Sequence, residues 1–110
     1  METIKRKENG VVIVAIKGRL DAESSPDLGK EIEKVMAEGE DRLILDVHEL
    51  NYISSAGLRI ILATSKKLKE RKGKLFLTGL HGPVEVVFKI SGFMSIFRVF
   101  TTAEAALKEI

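Results

Sequence analysis

The chain has 110 residues, of which 45% are hydrophobic and 31% charged, and its formal net charge is +2. This length fits one domain, and the composition is that of a globular protein rather than a disordered one. There is no cysteine, which excludes disulfides, thiolate metal sites and thiol nucleophiles. The weak net charge argues against a nucleic-acid footprint. We therefore expect a single domain over residues 1–110, with no cofactor and no nucleic-acid partner.

The first residues carry no sign of a targeting segment. Residues 1–8 are mostly charged or polar, unlike a signal peptide. The longest apolar run, Val11–Ile16, is far shorter than the roughly 20 residues that span a bilayer. We therefore expect a cytoplasmic protein without a membrane partner. Basic residues between Lys66 and Lys72 are interpreted as the solvated end of a helix, where cations favour the dipole, with a binding patch as the alternative.

The chain opens with a predicted β-hairpin. Lys5–Glu8 and Val11–Lys17 flank Asn9-Gly10, the dipeptide that favours a tight two-residue turn. Six consecutive apolar residues in the second strand indicate that both of its faces are covered. Gly18–Asp21 is predicted to be a loop.

A helix is predicted next, because apolar residues recur at helical spacing: Leu28, Ile32, Val35 and Met36. Ser24 or Ser25 can cap its start, and Pro26 suits the first turn, where no backbone donor is needed. Gly39 ends the helix.

Strands and helices alternate through the rest of the chain. Strands are predicted at Arg42–Val47, Lys74–Thr78 and Ile96–Phe100. Helices are predicted to begin at Ser55, after Pro83 and after Thr101, and Thr101 is the predicted cap of the last helix. His48–Ser54 is predicted to be a loop. A hairpin followed by this alternation predicts an α/β fold, with helices packed on a largely parallel, mixed sheet.

The sequence offers little catalytic chemistry. Its two histidines, His48 and His81, fall in predicted loops without metal-ligand spacing, and neither a G-x-x-x-x-G-K-[ST] nor a G-x-G-x-x-G loop is present. We therefore expect a binding or signalling module that is not an enzyme.

The segment Leu50–Arg59 is the most informative part of the chain. It places two hydroxyls and two small residues at the start of an amphipathic helix, where backbone donors are unpaired and the dipole is positive. Ser55 can cap this helix, and the same position suits a phosphate. The two interpretations do not exclude each other.

The order of these segments resembles the STAS domain of anti-sigma factor antagonists. The resemblance runs over nearly the whole chain, in GRLDAESS, RLILDVHELNYISSAGLR, KGKLFLTG and ISGFMSIFRVF. In that family a Ser in a D-S-[ST]-G-L motif starts a helix. Ser55 matches the phosphorylated Ser of the motif, Gly57 its Gly and Leu58 its Leu. Ser54 stands where the family has Asp, and Ala56 where it has a small hydroxyl or similar residue.

The resemblance implies a phosphorylation-controlled partner switch. The unphosphorylated chain would bind an anti-sigma factor with Ser/Thr kinase activity and so free the sigma factor. Phosphorylation at Ser55 would inactivate the chain. A Ser/Thr phosphatase would remove the phosphate again. Asp21 matches a family Asp that helps to contact the kinase. The implied partner-binding residues are Asp21, Ser54, Ser55, Ala56, Gly57 and Leu58, and a monomer is expected.

Three alternatives remain. A STAS domain can be a signalling scaffold or a nucleotide-responsive module. A receiver-like phosphoacceptor would use Asp46, at the end of a predicted strand, although the expected acidic pair does not follow the first core strand. A small α/β enzyme rests on fold-level analogy alone.

Overall fold

The computed structural model describes residues 1–110, and the chain opens with the predicted hairpin. Strands β1 (Glu2–Glu8) and β2 (Val11–Leu20) pair antiparallel, with Glu8 opposite Val11. Asn9 and Gly10 connect them with φ values of 53° and 76°, the positive dihedrals that this turn requires. β2 continues beyond its predicted end, through a register irregularity after Gly18, so the prediction of a loop at Gly18–Leu20 is wrong.

The remaining elements alternate as predicted. The helices are α1 (Ser25–Ala37), α2 (Ser55–Glu70), α3 (Gly82–Ile90) and α4 (Ala103–Glu109); the strands are β3 (Arg42–Asp46), β4 (Leu50–Ile53), β5 (Lys74–Thr78) and β6 (Arg98–Phe100). A 3₁₀ turn, Phe93–Ser95, precedes β6. None of the helices has the length and apolarity needed to cross a membrane.

The six strands form one mixed sheet in the order β1-β2-β3-β5-β6. Only the β1–β2 pair is antiparallel. β4 lies off this path and pairs in parallel with the last residues of β2. The arrangement confirms the predicted α/β fold with a largely parallel sheet, and β1 forms one of its edges.

Alternate side chains of the central strands enter two separate hydrophobic clusters. The larger, of 21 buried residues, joins Val14, Leu45 and Leu77 to residues of α1, α2 and α3. The smaller joins Ile13, Ile44 and Phe76 to α4. Both faces of β2 are covered in this way, as its apolar run predicts, because a parallel sheet buries both of its faces.

Several other predicted boundaries are wrong. β1 begins at Glu2 rather than Lys5, and β3 ends at Asp46 rather than Val47. The expected loop His48–Ser54 contains β4. The last strand begins at Arg98 rather than Ile96, because the backbone N–H of Ile96 donates to Phe93 in the 3₁₀ turn. The cap of α4 is Thr102 rather than Thr101, and its hydroxyl accepts from the backbone N–H of Ala105 at 3.1 Å.

Candidate functional site

Two parallel strand ends bring Asp21 and Ser54 together. Leu20, the last residue of β2, lies opposite Ile53, the last residue of β4. The backbone N–H of Ser54 donates to the Leu20 carbonyl at 2.9 Å. Asp21 directly follows β2 and Ser54 directly follows β4. The two residues therefore lie side by side where α2 begins. In α/β sheets the carboxyl ends of the strands are the usual place for a functional site.

The hydroxyl that caps α2 belongs to Ser54. Its backbone is extended and its Oγ accepts from the backbone N–H of Gly57 at 3.2 Å. The sequence-based assignment of the cap to Ser55 is therefore wrong. Ser55 is the first helical residue, it is exposed, and its hydroxyl takes part in no side-chain hydrogen bond within the chain. A group added to this oxygen leaves the helix cap in place.

Gly57 and Leu58 lie underneath this hydroxyl. A Cβ on Gly57 would come within 2.9 Å of side-chain carbons of both Leu20 and Ile53, so only glycine lets α2 start so close to the two strands. The Leu58 side chain is 9% exposed and belongs to the larger hydrophobic cluster. Ala56 is half-buried.

The structure thus separates the six predicted partner-binding residues into two groups. We call the four that reach the surface the acceptor surface: Asp21, Ser54, Ser55 and Ala56. Gly57 and Leu58 support it from below.

Asp21 is a fixed negative charge on the acceptor surface. Its Oδ1 accepts from the backbone N–H groups of Ser24 at 2.9 Å and Glu23 at 3.1 Å, and from the Ser24 hydroxyl at 3.0 Å. The bonds from Ser24 lower the pKa of Asp21 below its ordinary value, because they stabilise the ionised form. The carboxylate is therefore ionised and held in one orientation at neutral pH, with Oδ2 free.

Arg19 and Tyr52 extend the exposed surface along the same two strands. They are register partners, and the Arg19 guanidinium lies 4.0 Å from the centre of the Tyr52 ring. This contact was not predicted, because β4 was expected to be a loop. Tyr52 becomes the neighbour of Arg19 only through strand pairing.

A second polar cluster lies on the face of the sheet that α4 partly covers. Both ring nitrogens of His48 face carboxylates, Nδ1 at 2.9 Å from Asp46 and Nε2 at 3.3 Å from Glu49. The hydrogen bond to Asp46 raises the pKa of His48 above its ordinary value. His81 Nε2 lies 2.5 Å from the His48 carbonyl oxygen. Asp46, His48 and Glu49 line a cavity of about 490 Å³, together with nine other residues.

This cluster does not have the composition of a receiver site. The Asp46 carboxylate is engaged by the backbone N–H and the ring of His48. Although Asp46, His48 and Glu49 lie together, they do not form a group that could hold a metal ion. The acceptor surface is therefore the stronger candidate site.

Comparisons with known proteins identify the family of the chain. The STAS domain model matches residues 2–106. BtrV of Bordetella bronchiseptica, named as a candidate anti-sigma factor antagonist, is 40% identical over 106 residues, 96% of this chain and 91% of BtrV. The anti-sigma-B factor antagonist of Bacillus subtilis is 28% identical over 105 residues, 96% of this chain and 94% of that protein.

The fold is also similar to that of solved anti-sigma factor antagonists. An anti-sigma factor antagonist from Mycobacterium paratuberculosis matches with a TM-score of 0.89 at 26% identity, covering 99% of this chain and 92% of that one. The family model covers nearly the whole chain, and the motif that carries the resemblance lies at the start of α2. The chain therefore belongs to the STAS domain family.

Proposed function

We propose that the chain is an anti-sigma factor antagonist whose binding to its partner is turned off by phosphorylation of Ser55. The observation that carries this proposal is the exposed Ser55 hydroxyl, which stands at the first residue of α2 while Ser54 provides the cap. The names of the relatives in Bordetella and Bacillus support the antagonist part of the proposal.

In this proposal the chain is a ligand and a substrate, and it catalyses no step. The unphosphorylated form binds an anti-sigma factor with Ser/Thr kinase activity, and the sigma factor is released. The kinase transfers the γ-phosphoryl group of ATP to Ser55 Oγ, the hydroxyl proton is lost and ADP leaves. A separate Ser/Thr phosphatase hydrolyses the phosphoester with water and restores the hydroxyl.

A phosphate on Ser55 acts directly at the contact surface. It adds about 1.5 to 2 negative charges at neutral pH, and an interface built around a neutral hydroxyl would have to desolvate them. A coupling of only about 3 kcal/mol changes affinity more than a hundredfold. The control therefore requires no conformational change in the antagonist.

The other residues of the acceptor surface contribute to partner binding. The free Oδ2 of Asp21 is available to a donor on the partner, since Oδ1 is already engaged within the chain. Ala56 leaves room for a close approach beside Ser55. Gly57 and Leu58 contribute through the position of α2 rather than through direct contact.

The first test compares affinities for the purified anti-sigma factor kinase, isolated by affinity capture from the native cytosol with and without ATP. We expect Ser55→Ala to bind as wild type does and to accept no phosphate. Ser55→Asp and phosphorylated wild type should bind at least about a hundredfold more weakly, while their amide NMR spectra show the same fold.

The neighbouring serine provides the matched control. Ser54→Ala should remain a substrate at Ser55, because it removes the cap but not the acceptor hydroxyl. Mass spectrometry that places the phosphate on Ser54 would contradict the proposal, as would equal affinity of the phosphorylated and unphosphorylated proteins.

A further inference from the structure

We infer that Arg59 is a positioning residue that holds the phosphate on Ser55, an inference that rests on the phosphorylation proposed above. Ser55 and Arg59 are the first and fifth residues of α2, and both are exposed. Residues four apart are neighbours on a helix surface, with Cβ atoms about 5–6 Å apart. The Arg59 guanidinium is therefore within reach of a group attached to Ser55 Oγ.

Arg59 has no counter-charge in the unphosphorylated chain. It takes part in none of the ion pairs of the structure, and the first turn of α2 contains no acidic residue. The positions three and four residues away on either side are Ser55, Ala56, Leu62 and Ala63.

The helix dipole gives Arg59 no support. Arg59 is the fifth residue of α2, toward its N-terminal end, whereas the dipole favours cations in the last turn. Lys67 and Lys69 lie in that last turn. The dipole therefore accounts for those two residues and not for Arg59.

A phosphate on Ser55 reverses this balance. It creates an acidic group four residues N-terminal to a basic one, which is the favourable order for a pair on a helix. The planar guanidinium can donate two parallel hydrogen bonds to phosphate oxygens, which a lysine cannot do.

Two other charged residues lie along the strand ends beside Ser55. Asp21 is a fixed anion and repels a phosphate, while the Arg19 guanidinium is stacked on Tyr52. Repulsion from Asp21 and attraction to Arg59 act together to place the phosphate over the first turn of α2, which presents it to a phosphatase in one orientation.

The test measures the second pKa of the phosphoserine by ³¹P NMR in the 110-residue chain, with phosphoserine incorporated at position 55 during translation. Arg59 stabilises the dianion, so it lowers this pKa from its ordinary value of about 6. We expect Arg59→Gln to raise the pKa by a few tenths of a unit, as an i,i+4 charge pair predicts, and Arg59→Lys to raise it by less.

Lys66→Gln is the matched control, because it removes one exposed positive charge from the same helix. Lys66 is eleven residues from Ser55, or about 16 Å along the helix, which exceeds the Debye length of about 8 Å at physiological salt. We expect no measurable shift. Equal pKa values in wild type and Arg59→Gln, or equal shifts in Arg59→Gln and Lys66→Gln, would overturn the inference.

Because the phosphoserine is installed without a kinase, this result is independent of the proposed function. A chain that shows the Arg59 effect but accepts no phosphate from its kinase would refute the function alone. A chain that is phosphorylated at Ser55 but shows no Arg59 effect would refute the positioning role alone.

Discussion

Ser54 and Ser55 are adjacent in the chain but lie in different environments. Ser54 is half-buried and its hydroxyl accepts a backbone hydrogen bond, whereas the Ser55 hydroxyl faces solvent. From the sequence alone, Ser55 was the serine predicted to cap the helix. The choice depends on the hydrogen bond from Ser54 to β2 and on the packing of Gly57, which are contacts between distant parts of the chain.

His48 is expected to make stability depend on pH. The hydrogen bond to Asp46, and more weakly the charge of Glu49, raise the pKa of His48, while partial desolvation and the charge of Lys17 oppose them. The protonated ring is therefore more favourable in the folded state, and this contribution is complete below the unfolded pKa of about 6.5 and is lost as pH rises through the raised value.

We expect wild type to lose stability relative to His48→Gln between about pH 6 and about pH 8, by roughly 0.5 kcal/mol or less, since the pair is solvent-exposed. Urea denaturation of both proteins at the two pH values measures this difference. An identical change in the two proteins would show that His48 is not the group responsible.

The helices and strands whose hydrophobic residues recur with a clear periodicity were predicted well, whereas β4 was missed. The strand Lys74–Thr78 and the start of α2 at Ser55 were predicted to the residue. In β4, buried Leu50 and Ile53 enclose two exposed residues, which does not match the alternation of a half-buried strand. β4 forms because it pairs with the end of β2. A pairing between distant residues cannot be recognised from the four residues of β4 alone.

The junction of α2 with β2 and β4 gives a prediction for Gly57→Ala. Alanine favours a helix over glycine by about 0.5–1 kcal/mol, but its Cβ would overlap the Leu20 and Ile53 side chains. Overpacking of this kind costs about 1–3 kcal/mol, so we expect a net loss of stability of about 1 kcal/mol, together with weaker partner binding as α2 shifts.

Gly29→Ala in α1 is the control for this substitution. A Cβ there would come 3.2 Å from Ile60 Cδ1, the far end of a flexible side chain. Urea denaturation should show Gly29→Ala to be as stable as wild type or more so. If Gly57→Ala matched it, the close approach of α2 to the two strands would not require glycine.

At the scale of the whole molecule, the smaller hydrophobic cluster contributes to stability but lies apart from the surface of the proposed function. The smaller cluster lies between the sheet and α4, whereas the acceptor surface lies where β2, β4 and α2 meet. The alternation of strands and helices was sufficient to predict this architecture, because parallel strands need helical crossovers. The partial cover that α4 gives to its face was not predictable, since it depends on where the last helix packs.

Ile44→Ala tests this separation. Ile44 is fully buried in the smaller cluster, and its truncation should lower the free energy of unfolding by about 2–5 kcal/mol. At a temperature where the variant remains folded, its affinity for the partner should equal that of wild type. Ile96→Ala, at a 46% exposed side chain, should change stability by less than about 0.5 kcal/mol. A large loss of affinity in folded Ile44→Ala would show that the two regions are coupled.

The outermost strand also affects behaviour at high concentration. β1 has one unpaired side, and its sequence, ETIKRKE, places charges at five of seven positions, with all but one residue exposed. Exposed strand edges are templates for aggregation, and lysine and other charged side chains oppose the docking of a second edge. Because this edge is charged, we expect the chain to reach high concentrations without forming intermolecular sheets.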